Sequence, residues 1–168
     1  MTTDADATKA CGDEVRVTVG IAVSPERAFA IFTTEINRWW RRGRRFRSAP
    51  GEAGIVFLEP GPGGRVFESF GPDSGTPVHE MGRTLVWDPP HRLVLEWRAA
   101  NFAPHEKTEV EVLFRPSAIG TTVVLVHRGW RGIRADHPVR HGLDVPAFCT
   151  MMGSWWGDQL TSLRLHSR

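Results

Sequence analysis

Few side chains in this sequence have the type and spacing to do chemistry. His127 follows Val123 and Leu125 at two-residue spacing within TTVVLVHRGW, so on a strand it shares their inward face. A neutral inward imidazole could orient a ligand carbonyl or hydroxyl, or move a proton near neutral pH. A core-edge histidine bonded to a backbone carbonyl is the plainer alternative. Glu68 stays ambiguous, because the register of GGRVFESF reads either way and a one-residue slip reverses the face. Pointing inward, its carboxyl would be harder to ionise and suited to general-acid work. Glu96 falls on the wet face with Val94 and Arg98 and reads as a solvated carboxylate.

Other chemistries find little support. His137 and His141 are four apart, but Pro138 and Gly142 argue for a loop rather than a helix, and no Glu lies between them. No metal site is therefore expected, and nothing calls for a cofactor. A G-x-S-x-G nucleophile turn is absent, and the glycines of EPGPGGR have hairpin rather than phosphate-loop spacing. Cys11 and Cys149 make no framework. The run RWWRRGRRFR, from Arg38 to Arg47, interleaves six arginines with Trp39, Trp40 and Phe46. It could meet phosphates, stacked bases or anionic headgroups. It could equally be a solvated face whose stems cover two buried tryptophans. The 168 residues carry 21 basic and 19 acidic side chains, a net charge of +2, and this near balance argues against general nucleic-acid binding.

The elements that must position these residues are legible from pattern. Residues 1–13 are polar and aperiodic and read as a flexible tail, leaving 14–168 as one domain. The N-terminus lacks the apolar stretch of a secretory signal and no apolar run approaches the ~20 residues of a membrane helix, so a cytoplasmic location is expected. Val15, Val17, Val19 and Ile21 alternate with smaller or polar residues and predict a half-buried strand. Ser24-Pro25-Glu26 then opens a short helix, and a second covers 35–40. Six strands follow, at 54–58, 65–70, 83–87, 92–98, 108–115 and 121–127, separated by Gly/Pro/Asp turns. An Arg/His/Gly/Pro-rich loop spans 131–143. From Asp144, a long helix carries Phe148, Met152, Trp155 or Trp156, Leu160 and Leu163 at helical spacing. Helices beside one antiparallel sheet make an α+β two-layer domain.

In this order the chain resembles the helix-grip fold of the START-like superfamily, home to lipid-transfer domains, polyketide cyclases and birch-pollen-allergen-type proteins. It is most similar to the family typified by the C-terminal domain of the activator of the heat-shock protein 90 ATPase. The matching stretches are SPERAFAIFT, INRWW with Phe46 beyond, GGRVFE, GRTLVWDPPHRLVLEW, TEVEVLFRP, GTTVVLVHRGW and the W-x-x-x-L-x-x-L at Trp156, Leu160 and Leu163. The resemblance implies a curved antiparallel sheet of six to seven strands, two short helices after the first strand, and a long C-terminal helix gripped around a cavity for an apolar small molecule. Homodimers are common in such proteins. Seven Trp and nine Phe without a single Tyr fit an interior that needs bulk, and Phe57, Phe67, Trp87, Trp97 and Phe114 read as inward. The expected ligand contacts are Trp39, Trp40, Phe57, Phe67, Trp97, Phe114, Met152 and Trp156, with His127 as the polar anchor. A tightly packed aromatic core is the competing reading. Two further functions stay open: a cyclase or dehydratase using His127 or Glu68 as acid/base, and a chaperone-associated interaction protein.

Overall fold

The computed structural model describes residues 12–46, 54–71 and 78–168. Strand β1 (Glu14–Ile21) buries Val15 and Ile21 completely or nearly so, with Val17 and Val19 packed on the same core. Ser24 then caps helix α1 (Pro25–Thr34), its Oγ accepting the Arg27 N–H at 3.3 Å, and α2 (Ile36–Trp39) follows. The remaining strands are β2 (Ile55–Leu58), β3 (Arg65–Ser69), β4 (Val78–Asp88), β5 (Arg92–Trp97), β6 (Thr108–Ser117) and β7 (Gly120–Arg128). Helix α3 (Val145–His166) closes the chain, capped by Asp144, whose carboxylate accepts the Ala147 N–H at 2.9 Å.

All seven strands form one antiparallel sheet in the order β1-β7-β6-β5-β4-β3-β2. Residue 127 brings the chain back beside β1, so first and last strands pair and the meander returns to its start (Val15 opposite His127). The sheet curls around α3, and the core lies between them, roofed by Phe29, Phe32 and Trp39 of the short helices. This is the expected helix-grip architecture.

Two local features differ from expectation. Strand β4 starts at Val78, not at residue 83: pairing with β3 extends it, and the first half (VHEM) carries no strand pattern because it lacks alternation and the ladder slips where Val66 pairs with Gly82 but Phe67 with Glu80. A Cβ on Gly82 would lie 1.7 Å from the Glu96 carbonyl oxygen, so only glycine permits this approach of β4 to β5. The second difference concerns Phe57 and Phe67. They face away from the core, stacked on each other with centroids 5.5 Å apart, while Val56, Leu58, Val66 and Glu68 point in. In β2 the two apolar sets, Ile55/Phe57 and Val56/Leu58, were equally hydrophobic, and pattern alone had no reason to choose between them. Most of the expected tail, residues 1–11, lies outside the described residues; Asp13 accepts the Arg131 N–H at 2.6 Å.

Candidate functional site

A cavity of about 430 Å³ opens where the C-terminal end of the central strand β5 meets α3. Its buried floor is made by Trp40, Met81, Trp97 and Trp130, and its sides by Met151, Met152 and Trp155 of α3. The better-exposed rim carries Arg45 and Phe46 on one side, Arg98 to Asn101 on another, and Pro138 with His141 on the third. The tryptophans are positioned by one another. Trp40 meets Trp97, Trp155 and Trp156 at centroid separations of 5.6–5.8 Å, mostly edge to face. Trp155 is also held by its Nε1–H, which donates to the Arg45 carbonyl at 2.8 Å.

Of the residues expected to touch a ligand, Trp40, Trp97 and Met152 line this cavity. The others do not. Trp39 is buried behind Trp40 and donates its Nε1–H to the Ile31 carbonyl at 3.0 Å. Phe114 packs against Phe29 and Phe32 in the deep core. Trp156 lies under the floor, and Phe57 and Phe67 are on the far face of the sheet. The sequence reading missed Trp130, Trp155, Phe46, Met81 and the two loops at 98–101 and 137–141. The Arg/His/Gly/Pro composition of 131–143 was the available signal, since such loops on a rigid scaffold often shape sites.

His127 is fully buried, and each of its ring nitrogens has a partner. The Trp156 Nε1–H donates to Nδ1 at 3.1 Å, and Nε2 lies 2.7 Å from the Thr108 hydroxyl. That hydroxyl donates in turn to the Trp97 carbonyl at 3.2 Å. These bonds are mutually satisfied only when the proton is on Nε2, which defines a neutral imidazole. Burial lowers its pKa to about 3. The arrangement is the plain core histidine, with side-chain partners in place of the expected backbone carbonyl. His127 is outside the cavity lining, so it is not placed to anchor a ligand there.

Glu68 faces inward and is 3% exposed, which resolves its register. It accepts the Gly54 N–H at 2.6 Å and stands directly opposite His79 on β4. The buried Nε2 of His79 has no hydrogen-bond partner among the described residues; burial lowers the pKa of this imidazole, and the Glu68 charge opposes that shift. His79 sits two residues from Met81 on the same face of β4; of these residues Met81 lines the cavity, and Glu68 and His79 do not.

The two rim loops are joined by Glu106. Its carboxylate accepts the Ala103 N–H at 2.9 Å, the Arg134 N–H at 3.0 Å and the Arg134 guanidinium, and these bonds hold its pKa below the ordinary carboxylate range. His137 and His141 do not converge. His137 is buried, with Nε2 3.1 Å from the Asn101 carbonyl oxygen and Nδ1 accepting the Val139 N–H at 3.0 Å, while His141 is exposed. In the arginine run, Arg41 and Arg45 stack over Phe46 at 5.2 and 5.5 Å, Arg45 pairs with Asp158, and Arg38 and Arg42 are exposed. Arg47 lies outside the described residues.

Residues 22–164 match the family model described as activator of Hsp90 ATPase homolog 1-like protein. No protein with a curated description matches significantly. Among solved structures, the Aha1 dimer from Colwellia psychrerythraea is 18% identical at a TM-score of 0.58, covering 90% of this chain and 92% of that one. A protein from Mesorhizobium loti is 18% identical at 0.58, over 90% and 94%. An anthrahydroquino-gamma-pyrone synthase, solved as a complex, is 28% identical at 0.52, over 90% and 95%.

Proposed function

The chain belongs to the activator of Hsp90 ATPase homolog 1-like family, and from that premise we propose that it binds an apolar or aromatic small molecule in the cavity floored by Trp40, Trp97 and Trp130. The observation that carries this reading is the cavity itself. About 430 Å³ of space lies beside the aromatic rings, and this volume falls in the ordinary range of ligand pockets. Trp40 and Trp97 are the principal contacts, and Met152 supplies an adaptable wall. His127 braces Trp156 beneath the floor instead of meeting the ligand.

Two measurements test the proposal. Native mass spectrometry of freshly purified protein, followed by extraction, should give a discrete small-molecule adduct. Stripped protein should take up the neutral dye N-phenyl-1-naphthylamine, and Met152→Trp, which fills the cavity from α3, should abolish uptake while leaving the circular dichroism intact. Protein that carries nothing and excludes the dye would sink the reading.

A second reading is favoured by the Glu68–His79 pair together with the name of the 28%-identical synthase. Cyclase-type chemistry needs a base to remove a proton beside a carbonyl and an acid to return it. His79 is the second member that the sequence did not offer, and it replaces His127 in this role. The test is deuterium exchange at the acidic carbon of an aromatic β-diketone, which Glu68→Gln should abolish. Exchange no faster than in buffer would remove this reading. Chaperone association, suggested by the family's name, ranks third, and capture of such a partner by the purified chain would revive it. Given that the Colwellia relative is a dimer, self-association is also proposed, with molar mass in solution as its test.

A further inference from the structure

The proposed ligand site has an electrostatic character that its apolar floor conceals. Its described lining contains two guanidinium groups, Arg45 and Arg98, and two imidazoles, but no carboxylate. The carboxylates nearest to the arginines stand behind them: Asp158 pairs with Arg45, and Glu96 lies 3.6 Å from Arg98. Both guanidinium groups are fixed. Arg45 also donates to the Ser154 hydroxyl at 3.2 Å, and Nη2 of Arg98 donates to the Ala103 and Pro104 carbonyls at 2.9 and 3.1 Å. Neither set of bonds uses the Nε–H of its arginine. A fixed fork costs little further entropy when it meets an oxyanion. Trp130 also lines the cavity. This residue is 1% exposed, and its buried Nε1–H has no acceptor among the described residues.

We infer that the cavity selects aromatic anions: a planar ring system carrying a carboxylate or ionised phenol, its ring against Trp40, Trp97 and Trp155 and its charged oxygen toward Arg98 and Arg45. This rests on the reading of the cavity as a ligand site and narrows it. A neutral hydrocarbon would desolvate the arginines and give them nothing, and a cation would meet charge of its own sign at the rim. An aromatic oxyanion satisfies both the floor and the rim.

The test uses a matched pair of dyes on stripped protein. N-Phenyl-1-naphthylamine and 1-anilinonaphthalene-8-sulfonate share one ring system, and only the second is charged. The anionic dye should bind about tenfold tighter at low salt, and the preference should shrink as ionic strength rises. Arg98→Met and, because Arg98 also ties down two loop carbonyls, separately Arg45→Gln should each cut that ratio to about threefold or less. Met152→Trp should abolish both signals, which assigns them to the cavity. Displacement of the neutral dye by 2-naphthoate but not by 2-acetylnaphthalene would extend the preference to carboxylates, and 2-naphthol compared below and above its own ionisation would do so for phenolates. Equal affinity for the two dyes, or a preference that both arginine variants retain, would overturn the inference and leave the ligand site standing. Failure of both dyes to bind would overturn the ligand site and the inference with it.

Discussion

Replacing His127 by leucine separates a histidine that braces the floor from one that serves a ligand. Leucine fills much of the imidazole volume, so the dominant change is polar. The Trp156 N–H loses its acceptor and is too buried to find water, at a cost of about 1–3 kcal/mol, and loss of the bond to Thr108 adds about 1 kcal/mol. The expected destabilisation at pH 7 is therefore about 2–4 kcal/mol, against a typical total of about 5–15 kcal/mol. In a chain of this size that corresponds to a melting temperature lower by roughly 5–15 °C. The pH dependence is a sharper readout. With its folded pKa depressed to about 3, His127 is unprotonated in the native state while the unfolded chain protonates near 6.5, so stability is full above about pH 6.5 and falls as pH drops toward 3. Between pH 7 and pH 5 that loss amounts to about 2 kcal/mol in the wild type and is absent from the leucine variant. Denaturant titrations followed by tryptophan fluorescence should show the two proteins converging at pH 5. His79 contributes with the same sign, but in both proteins, and cancels in the difference. A gap that stays constant with pH would refute the buried neutral imidazole. A variant of wild-type stability that no longer binds the neutral dye would make His127 a ligand contact after all.

Other expectations follow from single contacts. Gly82→Ala places a methyl group against the Glu96 carbonyl and should prevent β4 from pairing with β5, giving insoluble or unfolded protein on expression; a folded, soluble variant would contradict the register. Phe57→Ser, on the far face of the sheet, should change stability by about 1 kcal/mol or less and leave dye affinity as it was, and a marked loss of affinity would return Phe57 to the cavity. Glu106→Gln should speed amide exchange at Ala103 and Arg134 together, since one carboxylate holds both loops; exchange rising at only one of them would show that the loops are anchored independently.

The fold was readable because its signals are local. The alternation of β1, the Ser24 and Asp144 caps and the Gly/Pro turns each depend on neighbours in sequence, and their order suffices to specify a sheet gripping a helix. The site was only partly readable. Trp40, Trp97 and Met152 line the cavity as the pattern places them, because a large apolar residue on the inward face has few places to go. Phe57 and Phe67 were misplaced because β2 is apolar on both faces, so hydrophobicity could not choose its register. The role of His127 turned on Thr108 and Trp156, which lie 19 and 29 residues away in the chain and become partners only in the fold. His79 passed unnoticed for a similar reason: its half of β4 has no strand signature, and only pairing with β3 sets it against Glu68.

The same tryptophans serve both packing and the proposed binding, and this overlap shapes how the site could diversify. Trp40 and Trp97 are 7% and 8% exposed and contact Trp156, so enlarging the cavity by shrinking either one also removes core. The rim is free of that coupling. Residues 98–101 and 137–141 sit on loops whose ends are pinned by Glu106 and by the Asn101–His137 contact, while Pro138 and His141 reach outward. Changes there can alter charge and shape at the entrance at little cost to the sheet. Ligand class would then be set mainly by the rim, with the floor supplying a general affinity for flat rings. Exchanging Pro138 and His141, with the buried His137 and Arg140 kept, should move specificity further than any substitution of equal size in α3, whereas changes at Trp40 should lower affinity and stability in parallel.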